Sequence, residues 1–396
     1  MARLRSSKSS SRLPREAERL VALSLALNGS GSRVEDRYWE RELGNALGRL
    51  LRGGHDTSID AALEALFQSN TGAYEILVEH AETLSESMVL EKDGQRYDVL
   101  LIVAPVVAWT RYQIPSGPIR PDVLEALRNQ LHGHVLAADA QLALAPKLYS
   151  VDQMPRSFSG TQQWLHKLGA QALGLPAVRG PALDGEVAEL LADTRYLVGA
   201  VAVAEGAAVF RWQESPGSVR ADRDGCLRQW TAQAEPLFAE LLPGCGFECL
   251  LPDAYYVNNR EADRRVRPLS LRAGVSWIAS AVGIGPDQLR AVIAGCGETE
   301  IEEYRIGFTP RNRNDVIYGC VWPLFGRDGD ADGQPVQEEI ADLLRELGVT
   351  EIRRLPDLLP LDFCEDCGAP LFPNPLGELV HAEPPEETVD APAHFH

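Results

Sequence analysis

The chain has 396 residues, of which 45% are hydrophobic and 24% charged, a composition that indicates a globular protein of two or three domains. Its formal net charge is −19, and an acidic surface of this kind repels phosphate, which excludes a broad nucleic-acid-binding face. No segment approaches the roughly 20 apolar residues of a membrane-spanning helix, so we expect no membrane partner.

The first fifteen residues carry five basic side chains and no acidic one, and this serine-rich composition predicts a disordered basic tail over 1–15. Nucleic acid is an expected partner for this tail alone. A secretion signal is disfavoured because Glu16 and Glu18 precede a short apolar run that has no small-residue cleavage site after it. The seven cysteines are an odd and sparse set, which favours a reducing, cytoplasmic location over a disulfide framework.

Residues 16–91 are predicted to be helical. Apolar residues recur at helical spacing, and Gly53-Gly54 and the turn residues 70–72 mark the breaks between helices. The predicted helices are Arg33–Leu51, Ile59–Phe67 and Ala73–Met88.

A pattern then recurs three times at a spacing of about 105 residues, which indicates an internal repeat. Each copy is an apolar run from a Tyr to a Trp with a turn signal in its middle, and this predicts a hairpin of two strands. The runs are Tyr97–Trp109 with Pro105, Tyr196–Trp212 with Glu205-Gly206, and Tyr304–Trp322 with a turn at 310–315.

A helix and then a short apolar strand ending at proline are predicted to follow each run. The helices are Pro121–Leu131, Gly225–Leu242 and Pro335–Leu347, and the strands are Leu142–Pro146, Phe247–Pro252 and Ile352–Pro356. Two helices are predicted before the later copies, around Trp164 and at Gly185–Leu191, then around Trp277 and at Pro286–Ala294.

The predicted fold class is therefore α/β (α+β), with mixed sheets and three αα-ββαβ pseudo-repeats. The alternative is three ordinary α/β segments that look alike by chance. The predicted segments are the basic tail 1–15, the helices and first unit 16–150, the second unit 151–252, the third unit 253–360, and a small C-terminal extension resembling a metal knuckle at 361–396.

The extension contains the strongest chemical signal, a Cys-Glu-Asp-Cys-Gly turn at Cys364 and Cys367. Two thiolates at this spacing can face one metal ion, with zinc as the candidate. His381 follows fourteen residues later and completes a predicted set of three ligands, with a terminal histidine, His394 or His396, as the fourth. Cysteines that bind no metal and a redox pair are the alternatives, although the prolines that follow forbid the helix that a thioredoxin-like pair opens.

Polar loops at predicted strand ends indicate a second kind of site. Arginine with asparagine and tyrosine suits a carboxylate or phosphate, and α/β sheets place ligands beyond their strand ends. The alternative is solvated loops whose arginines balance an acidic body. The candidate ligand-binding residues are Arg111, Tyr112, Asn258, Asn259, Arg260, Arg264 and Arg311.

The sequence lacks a phosphate-binding P-loop, a Gly-x-Ser-x-Gly elbow and a His-Glu-x-x-His pair. The leading hypothesis is thus a non-enzymatic regulatory or scaffold protein that binds a protein partner or a small anionic ligand. One alternative is an enzyme in which Arg260, Arg264 and Arg311 hold an anion and Asp253 or Asp315 acts as acid or base. The other is a nucleic-acid-associated factor that uses the basic tail.

The run Cys-Glu-Asp-Cys-Gly-Ala-Pro-Leu-Phe-Pro-Asn-Pro-Leu-Gly-Glu-Leu-Val-His, over 364–381, resembles a family of uncharacterised β-proteobacterial proteins that is defined only as a domain of unknown function. The similarity covers most of the chain after the tail. The resemblance implies a bacterial cytosolic setting and supplies no activity, cofactor or catalytic residue.

Overall fold

Four helices form the N-terminal part of the protein. The structure is a computed structural model that describes residues 13–187, 190–214, 221–298, 300–324 and 335–385, so most of the predicted basic tail lies outside it. Side chains of Ser32 and Asn70 accept hydrogen bonds from the backbone N–H groups of the following turns and thereby start two of the helices. These elements are α1 (Arg15–Asn28), α2 (Arg33–Gly53), α3 (Asp56–Phe67) and α4 (Thr71–Glu86), which confirm the three predicted helices, although residues 87–91, also predicted helical, belong to a strand.

A seven-stranded antiparallel sheet follows and is covered on both faces. Its order is β1-β2-β5-β4-β3, with β6 and β7 both pairing with the outer side of β2. The strands are β1 (Ser87–Lys92), β2 (Gln95–Trp109), β3 (Gly117–Pro118), β4 (Gln141–Tyr149), β5 (Ala192–Ala204), β6 (Gly246–Cys249) and β7 (Asp253–Ala254). The helices of this region are α5 (Pro121–His134), α6 (Phe158–Ala172), α7 (Arg211–Glu214), α8 (Arg223–Leu241) and α9 (Tyr255–Trp277).

The strand β2 shows why this sheet has a core on each side. Its alternate residues Ile102 and Val106 join the core formed with α5 and α8, whereas Leu101 and Val103 join the core formed with α6 and α9. A strand that is buried on both faces is a nearly continuous apolar run, as this one is.

A second, mixed sheet of four strands has the order β10-β9-β8-β11. β11 runs parallel to β8, and the other neighbours are antiparallel. α10 and the end of α9 pack on it around a separate core. The elements are β8 (Leu289–Cys296), β9 (Glu303–Pro310), β10 (Tyr318–Pro323), α10 (Val336–Glu346) and β11 (Glu351–Arg354), followed by a two-stranded sheet of β12 (Phe372–Pro373) and β13 (Leu379–Val380).

The predicted hairpin at Pro105 is wrong, because β2 continues through this residue. The carbonyl of Pro105 accepts the Leu250 N–H on the outer side of β2, so the proline nitrogen lies on that side as well. On this outer side, β7 pairs with β2 at Ile102 and Val103, and β6 pairs with β2 from Val106 to Trp109. Pro105 sits in the gap between them, where no ladder hydrogen bond is lost.

The second predicted hairpin is also wrong, whereas the third is confirmed. β5 ends at Ala204, and the chain then makes only an isolated bridge at Phe210 before it enters α7, which contains Trp212. β9 and β10 form the antiparallel pair expected between Tyr304 and Trp322.

Three further predictions of secondary structure are wrong. Pro286–Ala294, predicted as a helix, is mostly the buried central strand β8, and a short apolar run cannot be told from a buried helix by periodicity. Asp253–Pro268, predicted as a loop, is mostly α9, with Pro268 inside it. Residues 185–187 and 190–191 are not helical either.

The three segments therefore contain different sequences of elements, and the αα-ββαβ repeat is not confirmed, while the α+β class with mixed sheets is. Within the described ranges, no helix has both the length and the apolarity needed to cross a bilayer.

Candidate metal centre

The two predicted thiol ligands lie on a tight backbone turn. Gly368 N–H donates to the Cys364 carbonyl over 2.8 Å, and Cys364 N–H donates to the Ala369 carbonyl over 2.7 Å. Gly368 has φ +75°, a left-handed conformation that favours glycine and lets the chain reverse immediately after Cys367. The turn places the sulfur atoms of Cys364 and Cys367 within 4.8 Å of each other.

The third predicted ligand reaches the turn through the small C-terminal sheet. β12 and β13 form a hairpin, and His381 comes directly after β13. Its Nε2 lies 3.3 Å from Sγ of Cys367, and the ligand atoms of Cys364, Cys367 and His381 all lie within 4.8 Å of one another. Tetrahedral zinc with usual bond lengths places sulfur and nitrogen ligands about 3.5 Å apart, so the donor set fits this metal.

Neighbouring groups favour the forms of these side chains that bind metal. Backbone N–H groups of Cys367 and Asp366 hold the pKa of Cys364 below its ordinary value, which favours the thiolate. The other imidazole nitrogen of His381, Nδ1, lies 3.7 Å from a carboxylate oxygen of Glu383. An outer carboxylate on this side leaves Nε2 free to face a metal.

A buried arginine, Arg305, links the Cys364–Cys367 turn to the second sheet. Nη1 of Arg305 on β9 donates to the carbonyls of Asp362 and Leu371, over 2.6 and 2.8 Å, and so holds both ends of the turn. Its Nε donates to the Glu303 carboxylate over 2.6 Å, and its guanidinium lies 5.0 Å from the centre of the Phe363 ring. Arg305 is fully buried, and these contacts pair its Nε and Nη1, whereas Nη2 has no hydrogen-bond partner among the described residues.

The C-terminal hairpin is seated against β10 by a close contact. A Cβ atom at Gly319 would lie 2.3 Å from the ring of Phe372, so the aromatic ring packs directly on the glycine backbone. Phe372 is 1% exposed, and with Val316 and Ala382 it forms a small core of its own. The loop that carries the candidate ligands is thus packed on the second sheet.

The described residues offer three candidate ligands, and a four-coordinate structural zinc site needs one more. The candidates for that position named above, His394 and His396, lie outside the described residues. All seven cysteines are free thiols, and both Cys364 and Cys367 lie outside any helix.

Arg311 shares a cleft with one of the candidate ligands. It lines a cleft of about 1590 Å³ together with Arg313, His381 and Glu383. The Arg311 guanidinium is also bound to Glu351, with Nε 3.4 Å from the carboxylate.

The candidate residues on α9 lie elsewhere. Asn258 is buried, and its amide nitrogen donates to the carbonyls of Val103 and Leu251, over 2.8 and 2.9 Å. Arg260 forms an ion pair with Glu82 over 2.6 Å. Arg264 lies 3.8 Å from Glu261 on the same helix.

Asn259 and Glu82 line a second cavity of about 520 Å³, between α9 and the N-terminal helices. Arg111 and Tyr112 line a third, of about 570 Å³, at the end of β2. The structure therefore distributes the seven candidate residues over separate places, and their role in binding stays a prediction.

Sequence reasoning missed two groups that matter at the metal centre, Arg305 and Glu383. Glu383 could have been found from its position two residues after His381. Arg305 gave no signal, because its partners Asp362 and Leu371 are distant in sequence. Asp253, a candidate acid or base, is engaged with Arg223.

Comparison with known proteins gives the family and no nearer relative. No curated protein and no solved structure matches the chain. The family described as "Protein of unknown function (DUF2863)" matches residues 5–395. Because this match spans almost the whole sequence, the chain belongs to the DUF2863 family.

Proposed function

We propose that this protein is a non-enzymatic, cytoplasmic regulatory or scaffold protein, stabilised by zinc, that binds a small anionic ligand or a protein partner. One observation carries the zinc assignment, namely the convergence of the three ligand atoms of Cys364, Cys367 and His381 within 4.8 Å. Thiolate and imidazole ligands in this number and geometry are typical of zinc.

The surroundings of the centre support a structural role for the metal. The turn is held at both ends by Arg305, and Phe372 seats the returning hairpin on the second sheet. A metal joining Cys367 to His381 would close this loop and fix the segment 372–383, which also forms one wall of the cleft beside Arg311. Metal binding of this kind contributes directly to folding stability.

The cytoplasmic, non-enzymatic part of the proposal is supported by the state of the side chains. Free cysteines suit a reducing compartment. The polar groups of Asn258 and Arg260 that were candidates for substrate binding are engaged with Val103, Leu251 and Glu82 of the protein itself. These contacts indicate that Asn258 and Arg260 stabilise the fold and are not free to bind a substrate.

Elemental analysis of the untagged protein tests the proposal. We expect one zinc per chain in the wild type, little in Cys364→Ser with Cys367→Ser, and a full complement in the matched control Cys245→Ser. Absence of zinc after purification and reconstitution, or equal zinc content in all three proteins, would contradict it.

A further inference from the structure

We propose that the aromatic groove at the end of β2, formed by Trp109, Arg111, Tyr112, Arg272, Ser276 and Trp277, binds a small aromatic carboxylate. This inference deepens the proposed binding function and rests on it. The groove contains none of the three metal ligands, so the two proposals can fail separately.

The groove is built at the point where β2 leaves the sheet. Trp109 pairs with Gly246 of β6, and a Cβ atom at Gly246 would lie 2.5 Å from the indole, so the ring packs directly on the glycine backbone. Thr110 then fixes the chain, since its N–H donates to the Leu191 carbonyl and its hydroxyl to the Gly244 carbonyl. Trp109 keeps 36% of its surface exposed, which leaves an aromatic wall held in place by backbone.

Two aromatic rings complete the apolar part. Tyr112, which is 81% exposed, lines the groove together with Trp109 and contributes a ring at its rim. Trp277, only 3% exposed, contributes the floor from the end of α9. A volume of about 570 Å³ is within the usual range for sites of small molecules and suits one or two fused rings.

Charge distinguishes this groove from the other two cavities. Its described lining contains Arg111 and Arg272 and no acidic residue, although the whole chain carries 57 acidic residues against 38 basic ones. The cleft beside His381 includes Asp287 and Asp315, and the cavity beside α9 includes acidic residues as well. An anion is therefore favoured in this groove and opposed in the others.

Both arginines are available to a ligand. Arg272 contacts Glu346 at 3.5 Å, but both side chains are at least half exposed, and such surface pairs contribute little. The Arg111 side chain is bonded to no residue in the part of the chain that the structure describes. A guanidinium binds a carboxylate through two parallel hydrogen bonds and also stacks on aromatic rings.

A carboxylate is favoured over a nucleotide phosphate because the groove has few further donors. The Thr110 hydroxyl is already used within the protein, and Ser276 is the one other hydroxyl among the described lining residues apart from that of Tyr112. A phosphate dianion with a ribose would leave most of its polar groups unpaired there, which is costly.

Calorimetric titration of the full-length, zinc-loaded protein with 2-naphthoate tests the inference. We expect saturable binding at one site, with affinity lowered about tenfold or more in Arg111→Gln with Arg272→Gln, the range for loss of charged hydrogen bonds. Tyr112→Ala, at an exposed position, should weaken binding several-fold. Arg265→Gln, an exposed arginine elsewhere on α9, should leave it unchanged.

Three comparison compounds sharpen the result. 2-Naphthalenemethanol, which has the ring without the charge, and cyclohexanecarboxylate, which has the charge without the flat ring, should both bind much more weakly. AMP should bind no more tightly than 2-naphthoate. Absence of saturable 2-naphthoate binding, insensitivity to the double arginine change, or tighter binding of AMP or cyclohexanecarboxylate would overturn the inference.

The same titration with Cys364→Ser and Cys367→Ser protein separates this inference from the zinc proposal. Because the groove lies away from the ligand residues, folded protein of this variant should bind 2-naphthoate with unchanged affinity. A matching loss of zinc and of 2-naphthoate affinity in folded protein would contradict the groove as an independent site.

Discussion

Nε2 of His381 lies 3.3 Å from Sγ of Cys367, although the two residues are fourteen positions apart in the chain. The intervening segment contains both strands of the C-terminal hairpin, and Phe372 in its first strand packs on Gly319. A metal at this contact would therefore cross-link a loop that already packs on the second sheet through Phe372.

Gly319→Ala should weaken the packing of Phe372 on β10. The new Cβ would lie 2.3 Å from the Phe372 ring, and overpacking of this kind costs about 1–3 kcal/mol. We expect faster cleavage within 360–385 by a protease under native conditions. Gly44→Ala is the control, since no atom beyond the helix's own nearby backbone lies within 4 Å of its Cβ position and alanine favours the helix α2. Equal cleavage of both variants would show that the contact does not hold the hairpin.

Arg305→Met should be the most destabilising change near the knuckle. It leaves the carbonyls of Asp362 and Leu371 and the half-buried Glu303 carboxylate without their donor, at a cost of about 2–4 kcal/mol. Urea unfolding measures this loss. Arg313→Met, at an exposed position on the 310–315 loop, should change stability by less than about 0.5 kcal/mol. A similar small effect at Arg305 would refute its anchoring role.

Glu86 should make the protein less stable as pH rises from about 5 to 8. Burial raises the pKa of Glu86 from 4.5 to about 7, with Glu82 and Asp253 adding to the rise, while the Tyr256 N–H and Arg260 oppose it. Between these two pKa values the folded state binds more protons than the unfolded chain, so the free energy of unfolding falls as pH increases.

Glu86→Gln removes this titration and can still accept the Tyr256 N–H. The variant should gain about 1–3 kcal/mol over wild type at pH 8 relative to its difference at pH 5, measured by urea unfolding. Glu79→Gln, an exposed residue on the same helix α4, should show no such change. A difference between wild type and Glu86→Gln that is independent of pH would contradict the assignment.

Asn258→Ala should affect the fold and leave binding unchanged. Its amide bonds the carbonyls of Val103 and Leu251 in a buried position, and leaving both acceptors unpaired costs about 2–3 kcal/mol. Zinc content and 2-naphthoate affinity of the folded variant should match wild type. Loss of either with little change in stability would restore Asn258 as a ligand-binding residue.

The sequence allowed prediction of helices whose patterns are local. α2, α3 and α5 have apolar residues at helical spacing, Gly54 ends α2, and Pro121 begins α5. Strand β8 was mistaken for a helix because all its residues except Arg290 are buried, which removes the alternation that identifies a strand. Pro105 does not break β2 because it lies opposite a gap between β7 and β6. Both of these strands are distant in sequence, so the proline alone could not show this.

At the candidate metal centre, too, local sequence patterns predict the ligands but not the residues that support them. Cys364 and Cys367 are recognisable from their spacing alone, and His381 from its type and proximity. The supports of the site are long-range: Arg305 reaches it from β9, and Gly319 receives Phe372 from another sheet. Pairing of this kind depends on how the sheets are packed, which no local pattern encodes.

The absorption spectrum of the protein loaded with Co²⁺ in place of zinc tests the central claim most directly. Thiolate and imidazole ligands in a tetrahedral site give intense visible bands and thiolate charge-transfer absorption, whereas water and carboxylate ligands in an octahedral site give weak bands. We predict intense bands that saturate at one Co²⁺ per chain, disappear in Cys367→Ser, change in His381→Asn, and persist in Cys245→Ser. Weak octahedral absorption in the wild type, or a spectrum that Cys367→Ser leaves unchanged, would contradict the assignment of the metal centre.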